Sequence, residues 1–257
     1  MSFAPIADSL RDEVLAFYSA GSKLDPGAAG YNTLETNSGF VERRGLPLLE
    51  LLRDCMDGPL EGREVADLGC GFGALSVFFA WSGARVVGLD PNAERFRVGS
   101  RVARKHGFSV RFEKGQMESI PLPDRSCDVA IQNNSFCYIV DAERRRRALA
   151  ETLRILRPGG WLVTRNPNRW HTTDQFTGLP GLQLLPPVTA SGLARAAKRD
   201  RSHVRITSPP AHRRELREAG FTGIEHVAAP GSRRPGGLKL VARYHHFVAM
   251  RPSGGGA

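Results

Sequence analysis

Ten residues constrain this chain more than any others: Val65-Ala66-Asp67-Leu68-Gly69-Cys70-Gly71-Phe72-Gly73-Ala74. They read as a short apolar strand, a glycine turn and a helix starting near Ala74. Three glycines at alternate positions leave the backbone bare, so a ligand is expected to approach its N–H groups closely. The helix start adds a positive dipole end at the same spot. The stretch predicts a nucleotide-type site.

The chain around it alternates strands and helices. A leading helix is expected over 7–20, with Leu10, Val14, Phe17 and Tyr18 at helical spacing. A Gly, Pro and Asn-rich loop follows, then a helix over about 40–56, stopped by Gly58-Pro59. These two helices precede the first strand, and a lid over the glycine turn is expected from residues 1–60. Tyr18, Tyr31 and Asn32 are candidates to close it. Further strands are expected at Arg85–Asp90, Val110–Phe112, Ser126–Asn133 and Trp161–Thr164, the last after an Arg157-Pro158-Gly159-Gly160 turn. Pro91-Asn92 and Asp141 start the intervening helices. Residues 167–207 break the rhythm with four prolines and predict an insertion that builds a substrate pocket, with a short helix at 190–200. A helix from Pro210 to Ala219 and strands at 221–227 and 238–250 end the main domain, 61–250. The tail 251–257 is expected to be disordered. The pattern predicts an α/β domain with a mostly parallel sheet and an antiparallel ending.

Charge and cysteine usage narrow the function. The net charge is +10, which permits nucleic-acid or anionic partners, but the basic residues are scattered. Arg144–Arg147 is the densest cluster and lies in a helical pattern without interleaved aromatics, so it reads as a solvated face or an anion patch. Cys55, Cys70, Cys127 and Cys137 form no C-x-x-C pair and read as reduced packing residues. A metal role for His245-His246 is not the expectation. No apolar run approaches the ~20 residues of a membrane span, and Met1–Ala20 lacks a signal-peptide core. A cytoplasmic protein is expected.

Gly69, Gly71 and Ala74 satisfy the G-x-G-x-x-[GA] pattern of dinucleotide-binding proteins, with Asp90 where an acidic residue would grip a ribose. A nicotinamide dehydrogenase is therefore one reading. Against it stands Asp67, two residues before the first glycine, where a carboxylate would repel a pyrophosphate. It suits a ligand with an ammonium group and no phosphate, such as S-adenosylmethionine.

At this point the chain resembles class I S-adenosylmethionine-dependent methyltransferases of the small-molecule and sugar type. Val65–Gly73 is similar to the family's first motif and Asp90-Pro91 to its second. Gly115–Glu118 with Ile120–Asp124 is similar to its G-D-A-E-x-L-P-F-x-D segment, Asp128–Ser135 to its fourth-strand motif, and Leu156–Leu162 to its L-(K/R)-P-G-G-x-L turn. The resemblance implies a Rossmann-like seven-stranded sheet, mostly parallel with an antiparallel C-terminal strand, with helices on both faces and an N-terminal helical lid.

The same resemblance implies S-adenosylmethionine as cofactor. Asp67, Gly69, Cys70 and Gly71 would hold its methionine end, Asp90 with Pro91 its ribose, Gln116 and Met117 its adenine, and Asn133 would lie beside the methionine. The family usually has Asp at the position of Gln116. A hydroxyl nucleophile needs a base. His171 and Tyr138 are the candidates carried forward, with Asp174 and Asp141 also on loops after strands five and four. The expected activity is methylation of a hydroxyl on a small molecule or carbohydrate, without a membrane or nucleic-acid partner. The alternatives are an RNA methyltransferase and a cofactor-binding subunit without catalysis.

Overall fold

Val65, Ala66, Asp67 and Leu68 are all buried, as in a strand covered on both faces. The computed structural model describes residues 2–19, 41–56, 58–198, 203–227 and 244–253. Tyr31, Asn32 and the strand expectation at 238–243 lie outside these residues. The described elements are α1 (Ala4–Ser19), α2 (Val41–Met56), β1 (Glu64–Leu68), α3 (Ala74–Trp81), β2 (Arg85–Asp90), α4 (Ala93–Lys105), β3 (Val110–Lys114), β4 (Cys127–Asn133), α5 (Ala142–Ile155), β5 (Leu156–Pro167), α6 (Pro187–Ala196), α7 (Pro209–Glu218), β6 (Thr222–Val227) and β7 (Tyr244–Met250). The strands form one seven-stranded sheet in the order β3-β2-β1-β4-β5-β7-β6. This is the expected Rossmann-like α/β arrangement.

The chain divides into two compact units: Met1–Gln116 with Cys127–Val129, and Met117–Ser126 with Ala130–Ala257. In the first, β1, β2 and β3 pair in parallel, with Asp67 opposite Gly88 and Asp90 opposite Lys114. Asp67 and Asp90 therefore sit at neighbouring carboxyl ends. Asp128 ties the amino end of β1, where its Oδ2 accepts the Glu64 N–H at 2.8 Å.

The leading helix packs on this unit through aromatic edges. Phe3 meets Phe78 and Trp81, each at 5.3 Å between ring centres. Phe17 meets Phe72 of the glycine turn at 5.2 Å. Arg101 donates to Glu13 at 2.6 Å, joining α4 to α1. In α2, Gly45 lies where a Cβ would strike the Phe78 ring.

In the second unit, β7 runs antiparallel to both β5 and β6. The antiparallel ending is as expected. The fifth strand is longer than the expected Trp161–Thr164, running from Leu156 to Pro167 through the predicted turn. The reason is a partner beyond β7: Gly159 N–H donates to the Arg251 carbonyl at 3.0 Å, and Arg251 N–H to the Gly160 carbonyl at 2.8 Å. Gly159 takes a φ of 77°, which glycine adopts without strain. Arg251 Nη1 also donates to the carbonyls of Leu153, Arg154 and Leu156, satisfying the open end of α5.

Residues 168–198 and 203–207 lie between β5 and α7. Asn168 bridges Thr207, and Arg169 N–H donates to the Thr207 carbonyl at 3.1 Å, so the described ends of the excursion meet. Within it Leu182, Ala190 and Ala194 form a small buried cluster backed by Leu179 and Leu185. The short helix falls at Pro187–Ala196, a few residues earlier than expected because Pro187 supplies the preorganised first turn.

Gly99 of α4 packs backbone against backbone on the glycine turn. A Cβ there would stand 2.8 Å from the Phe72 carbonyl oxygen and 3.0 Å from Gly73 Cα, both backbone atoms that cannot swing aside. Gly99→Ala should therefore destabilise the fold by about 1–3 kcal/mol, the usual cost of overpacking, read as a lowered midpoint in denaturant unfolding.

Candidate functional site

Gly69, Gly71 and Gly73 have φ of 79°, 56° and 76°, a left-handed run that β-carbon-bearing residues resist. The turn folds back on β2 instead of leaving its donors open. Gly69 and Cys70 N–H both donate to the Leu89 carbonyl, at 2.7 and 2.9 Å, and Gly73 N–H donates to the Cys70 carbonyl at 2.9 Å. Gly71 N–H donates to Asp90 Oδ2 at 2.9 Å. The expectation of ligand-facing N–H groups is thus corrected at these four residues, because their donors are used inside the chain. A pyrophosphate needs such donors free. What remains open is the Cα face: a Cβ on Gly71 would meet nothing within 4 Å.

Asp90 joins two turns. Its Oδ2 accepts from Gly71, and its Oδ1 accepts the Asn92 N–H at 2.9 Å. Asn92, not Asp90, caps α4, accepting the Glu94 N–H at 3.0 Å. Pro91 lies between these two residues, exposed. Each carboxylate oxygen of Asp90 keeps a lone pair for a further donor. Gly115 N–H donates to the Asp90 carbonyl at 3.3 Å, which brings the exposed Gln116 to the same end of the sheet.

Asp67 is buried and accepts the Ser76 hydroxyl at 2.7 Å. Burial pushes its carboxyl up to about 6, with the nearby Asp90 charge adding to the rise and the Ser76 bond opposing it. A cation arriving beside it would restore full ionisation. Burial also pushes the Cys70 thiol well up and the Cys137 thiol up to about 12, so neither is a thiolate at neutral pH.

The first unit thus gathers Asp67, Gly69, Cys70, Gly71, Asp90, Pro91 and Gln116 at the carboxyl ends of its strands. Met117 and Asn133 belong to the second unit. Met117 is buried, and Asn133 Oδ1 lies 3.5 Å from Arg165 Nη1.

Tyr138 and His171 both lie in the second unit. Tyr138 closes a short helical turn, Phe136–Tyr138, and is 52% exposed. Its ring stacks on His203 and meets the edge of Phe176, each at 6.1 Å. His171 is half-buried. Its Nδ1 is engaged by Thr173, 2.9 Å from the carbonyl oxygen and 3.1 Å from the N–H. Asp174 serves its own turn, with Oδ1 accepting from the N–H groups of Phe176 and Thr177 and from the Thr177 hydroxyl. Asp141 caps α5, accepting the Arg144 N–H at 2.8 Å.

Sequence reading did not find a polar network buried in the second unit. Thr164 of β5, His212 and Glu215 of α7, and Arg145 of α5 form a continuous chain: Thr164 Oγ1 lies 3.0 Å from His212 Nε2, His212 Nδ1 lies 3.2 Å from Glu215 Oε2, and Arg145 grips both Glu215 oxygens at 2.9 and 2.7 Å. Burial works to raise the Glu215 carboxyl, but the bonds from His212 and Arg145 outweigh it and hold it at about 2. Burial pushes His212 down and His245 well below the usual imidazole range. It also pushes His246 to about 3, with the Arg165 and His226 charges adding to the fall. Among the described residues, no group of three or more His, Cys, Asp or Glu is arranged to hold a metal.

Residues 65–160 match a protein family described as a methyltransferase domain. The chain is 32% identical over 111 residues to a ubiquinone biosynthesis O-methyltransferase of Rhizobium etli, covering 43% of this chain and 44% of that one. It spans less than half the length of the curated relatives it matches. Among solved structures it is similar to an S-adenosylmethionine-dependent methyltransferase from Clostridium acetobutylicum, with a TM-score of 0.64 and 12% identity over 82% of this chain and 92% of that one. It is also similar to the [4+2]-cyclase SpnF, at a TM-score of 0.56 and 21% identity over 80% of this chain and 81% of that one. These structural likenesses speak for the fold. Among the described residues, no helix is long and apolar enough to cross a membrane.

Three histidines buried neutral take up protons only on unfolding, so stability falls as pH drops below about 6.5, their unfolded value. Asp67, raised in the fold, opposes this between about 4 and 6. His246→Gln should remove one proton's share of the histidine slope, about 1.4 kcal/mol per pH unit, seen by comparing denaturant midpoints of the two proteins at pH 7, 6 and 5.

Proposed function

We propose that this chain, whose residues 65–160 match the methyltransferase-domain family, is an S-adenosylmethionine-dependent methyltransferase acting on a hydroxyl of a small molecule or carbohydrate. The observation that carries the reading is the glycine turn: the N–H groups of Gly69, Cys70 and Gly71 are used within the chain, while a buried carboxylate stands two residues away. That combination is poor for a phosphate and good for a cationic, phosphate-free ligand. When bound, the cofactor supplies an electrophilic methyl group on a cationic sulfur.

The residues present fit it. Asp67, Gly69, Cys70 and Gly71 would hold the methionine end, Asp67 by its charge and Gly71 by its open Cα face. Asp90, fixed by its two backbone bonds and followed by Pro91, accepts the ribose hydroxyls on its remaining lone pairs. Gln116 takes the adenine amino group through its amide oxygen. Met117 and Asn133, in the second unit, keep the adenine and methionine roles that the resemblance gives them. On the acceptor side, Tyr138 is the half-exposed candidate on the turn after β4. A base role for His171 falls to Nε2, because Nδ1 is engaged by Thr173. α1, seated against Phe72 of the glycine turn, serves as part of a lid.

An RNA acceptor is the second reading, favoured by the net charge of +10. Seven arginines, Arg85, Arg101, Arg111, Arg144, Arg146, Arg147 and Arg154, each meet a carboxylate and are engaged locally, although these pairs leave the net excess unchanged.

Two measurements test these assignments. In calorimetry, S-adenosylmethionine affinity should fall as pH drops below about 6, where Asp67 takes up a proton, and Asp67→Asn should weaken binding and flatten that dependence. Unchanged affinity in the variant would remove Asp67 from the site. Incubation with methyl-labelled S-adenosylmethionine and a panel of phenols, catechols, monosaccharides and total RNA should label a small hydroxyl compound. Label in RNA alone would overturn the acceptor class, and binding without transfer to any acceptor would favour a non-catalytic subunit.

A further inference from the structure

The arginine run of α5 resolves into two kinds of residue. Arg144 pairs with Glu118 at 2.6 Å, and Arg146 and Arg147 pair with Glu143, all with half or more of the arginine side chain exposed. Arg145 is only 2% exposed. It shares the buried stripe of its helix with Ala148, Leu149, Thr152 and Ile155.

Its guanidinium is satisfied in two directions. Towards α7, Nε and Nη2 grip Glu215 with both oxygens. Towards the turn after β4, Nη1 donates to the carbonyls of Phe136 and Ile139 at 3.0 and 3.1 Å, and the guanidinium carbon lies 3.9 Å from the centre of the Phe136 ring. Those two carbonyls bracket the turn. Phe136, Cys137 and Ile139 face inward, and Tyr138 alone among the four turns outward. Cys137 O is held by the Arg205 N–H at 2.8 Å. A buried ion pair contributes little net stability, because the desolvation of both charges offsets their attraction. What the fork adds is geometry: two planar contacts on one side and two carbonyls on the other fix the turn relative to α5 and α7.

We propose that Arg145 is a positioning residue for methyl transfer, setting the Phe136–Ile139 turn from behind so that Tyr138 presents its ring and hydroxyl to the acceptor. This rests on the methyltransferase reading above. Glu215 fixes the guanidinium, and His212 fixes Glu215, so the clamp is continuous with β5. Lysine is a poor substitute: it keeps the charge near Glu215 but has no fork that reaches two carbonyls at once.

The test uses R145K, Y138A and the double variant in the full-length chain. Hydrogen exchange of the peptide covering residues 134–141 should speed up at least tenfold in R145K, since the Tyr138 and Ile139 N–H bonds to Ser135 and Phe136 depend on the clamped turn. S-adenosylmethionine affinity by calorimetry should stay within twofold. With the phenol, catechol or sugar that the wild type methylates best, KM should rise at least tenfold in R145K and Y138A with kcat little changed, and the double variant should be no worse than the worse single one. Should R145K fail to fold, Glu215→Gln loosens the same clamp and takes its place. Unchanged exchange in the turn, or additive KM effects, would overturn the proposal and leave Arg145 as a tie between helices. If the wild type methylates nothing on the panel, the methyltransferase reading fails, while the exchange measurement still decides whether Arg145 sets the turn.

Discussion

The Asp90 carboxylate holds the first unit together at the point where its strands end. One oxygen takes the Gly71 N–H, the other the Asn92 N–H, and the backbone carbonyl of the same residue takes the Gly115 N–H. Three successive crossings of the sheet end at that single residue. The left-handed glycines let the turn curl far enough to reach it, and Gly99 lets α4 close over the turn without a side chain between. The turn is therefore a finished surface: the N–H groups of Gly69, Cys70, Gly71 and Gly73 are satisfied, while Asp90 keeps carboxylate lone pairs and Gly71 a bare Cα face.

This explains which parts of the site were legible in the amino-acid sequence. Glycine spacing, a carboxylate before the turn and one at the end of the next strand are local signals, fixed by backbone geometry within a few residues. They located Asp67, Gly71 and Asp90 correctly in the fold. The use of the Gly69 and Cys70 N–H groups was not legible, because their acceptor is the Leu89 carbonyl, from a strand whose register no local pattern specifies. The long fifth strand was hidden for the same reason: Pro158-Gly159-Gly160 reads as a stop, and only Arg251, some ninety residues on, keeps the ladder going.

The second unit shows the complementary failure. Arg145 was read as one of four like residues, although it stands three and four positions before Ala148 and Leu149, on the helix's apolar stripe. That spacing is the signal that separates it from its neighbours. Its partner Glu215 is seventy residues away in α7, and the histidine between Glu215 and Thr164 looks in sequence like any other. Buried polar networks of this kind are long-range by construction, and single-sequence patterns report only the half of each contact that lies on a regular face.

The excursion from Asn168 to Thr207 carries a further consequence. Its two ends are pinned to each other by a bridge and a backbone hydrogen bond. Lengthening a loop whose ends are already joined costs little additional entropy. Its described contents still touch the turn after β4, where the Arg205 N–H meets the Cys137 carbonyl and Tyr138 meets Phe176 and His203. A change of length within it therefore acts first on that turn, while the joined ends keep their own pairing.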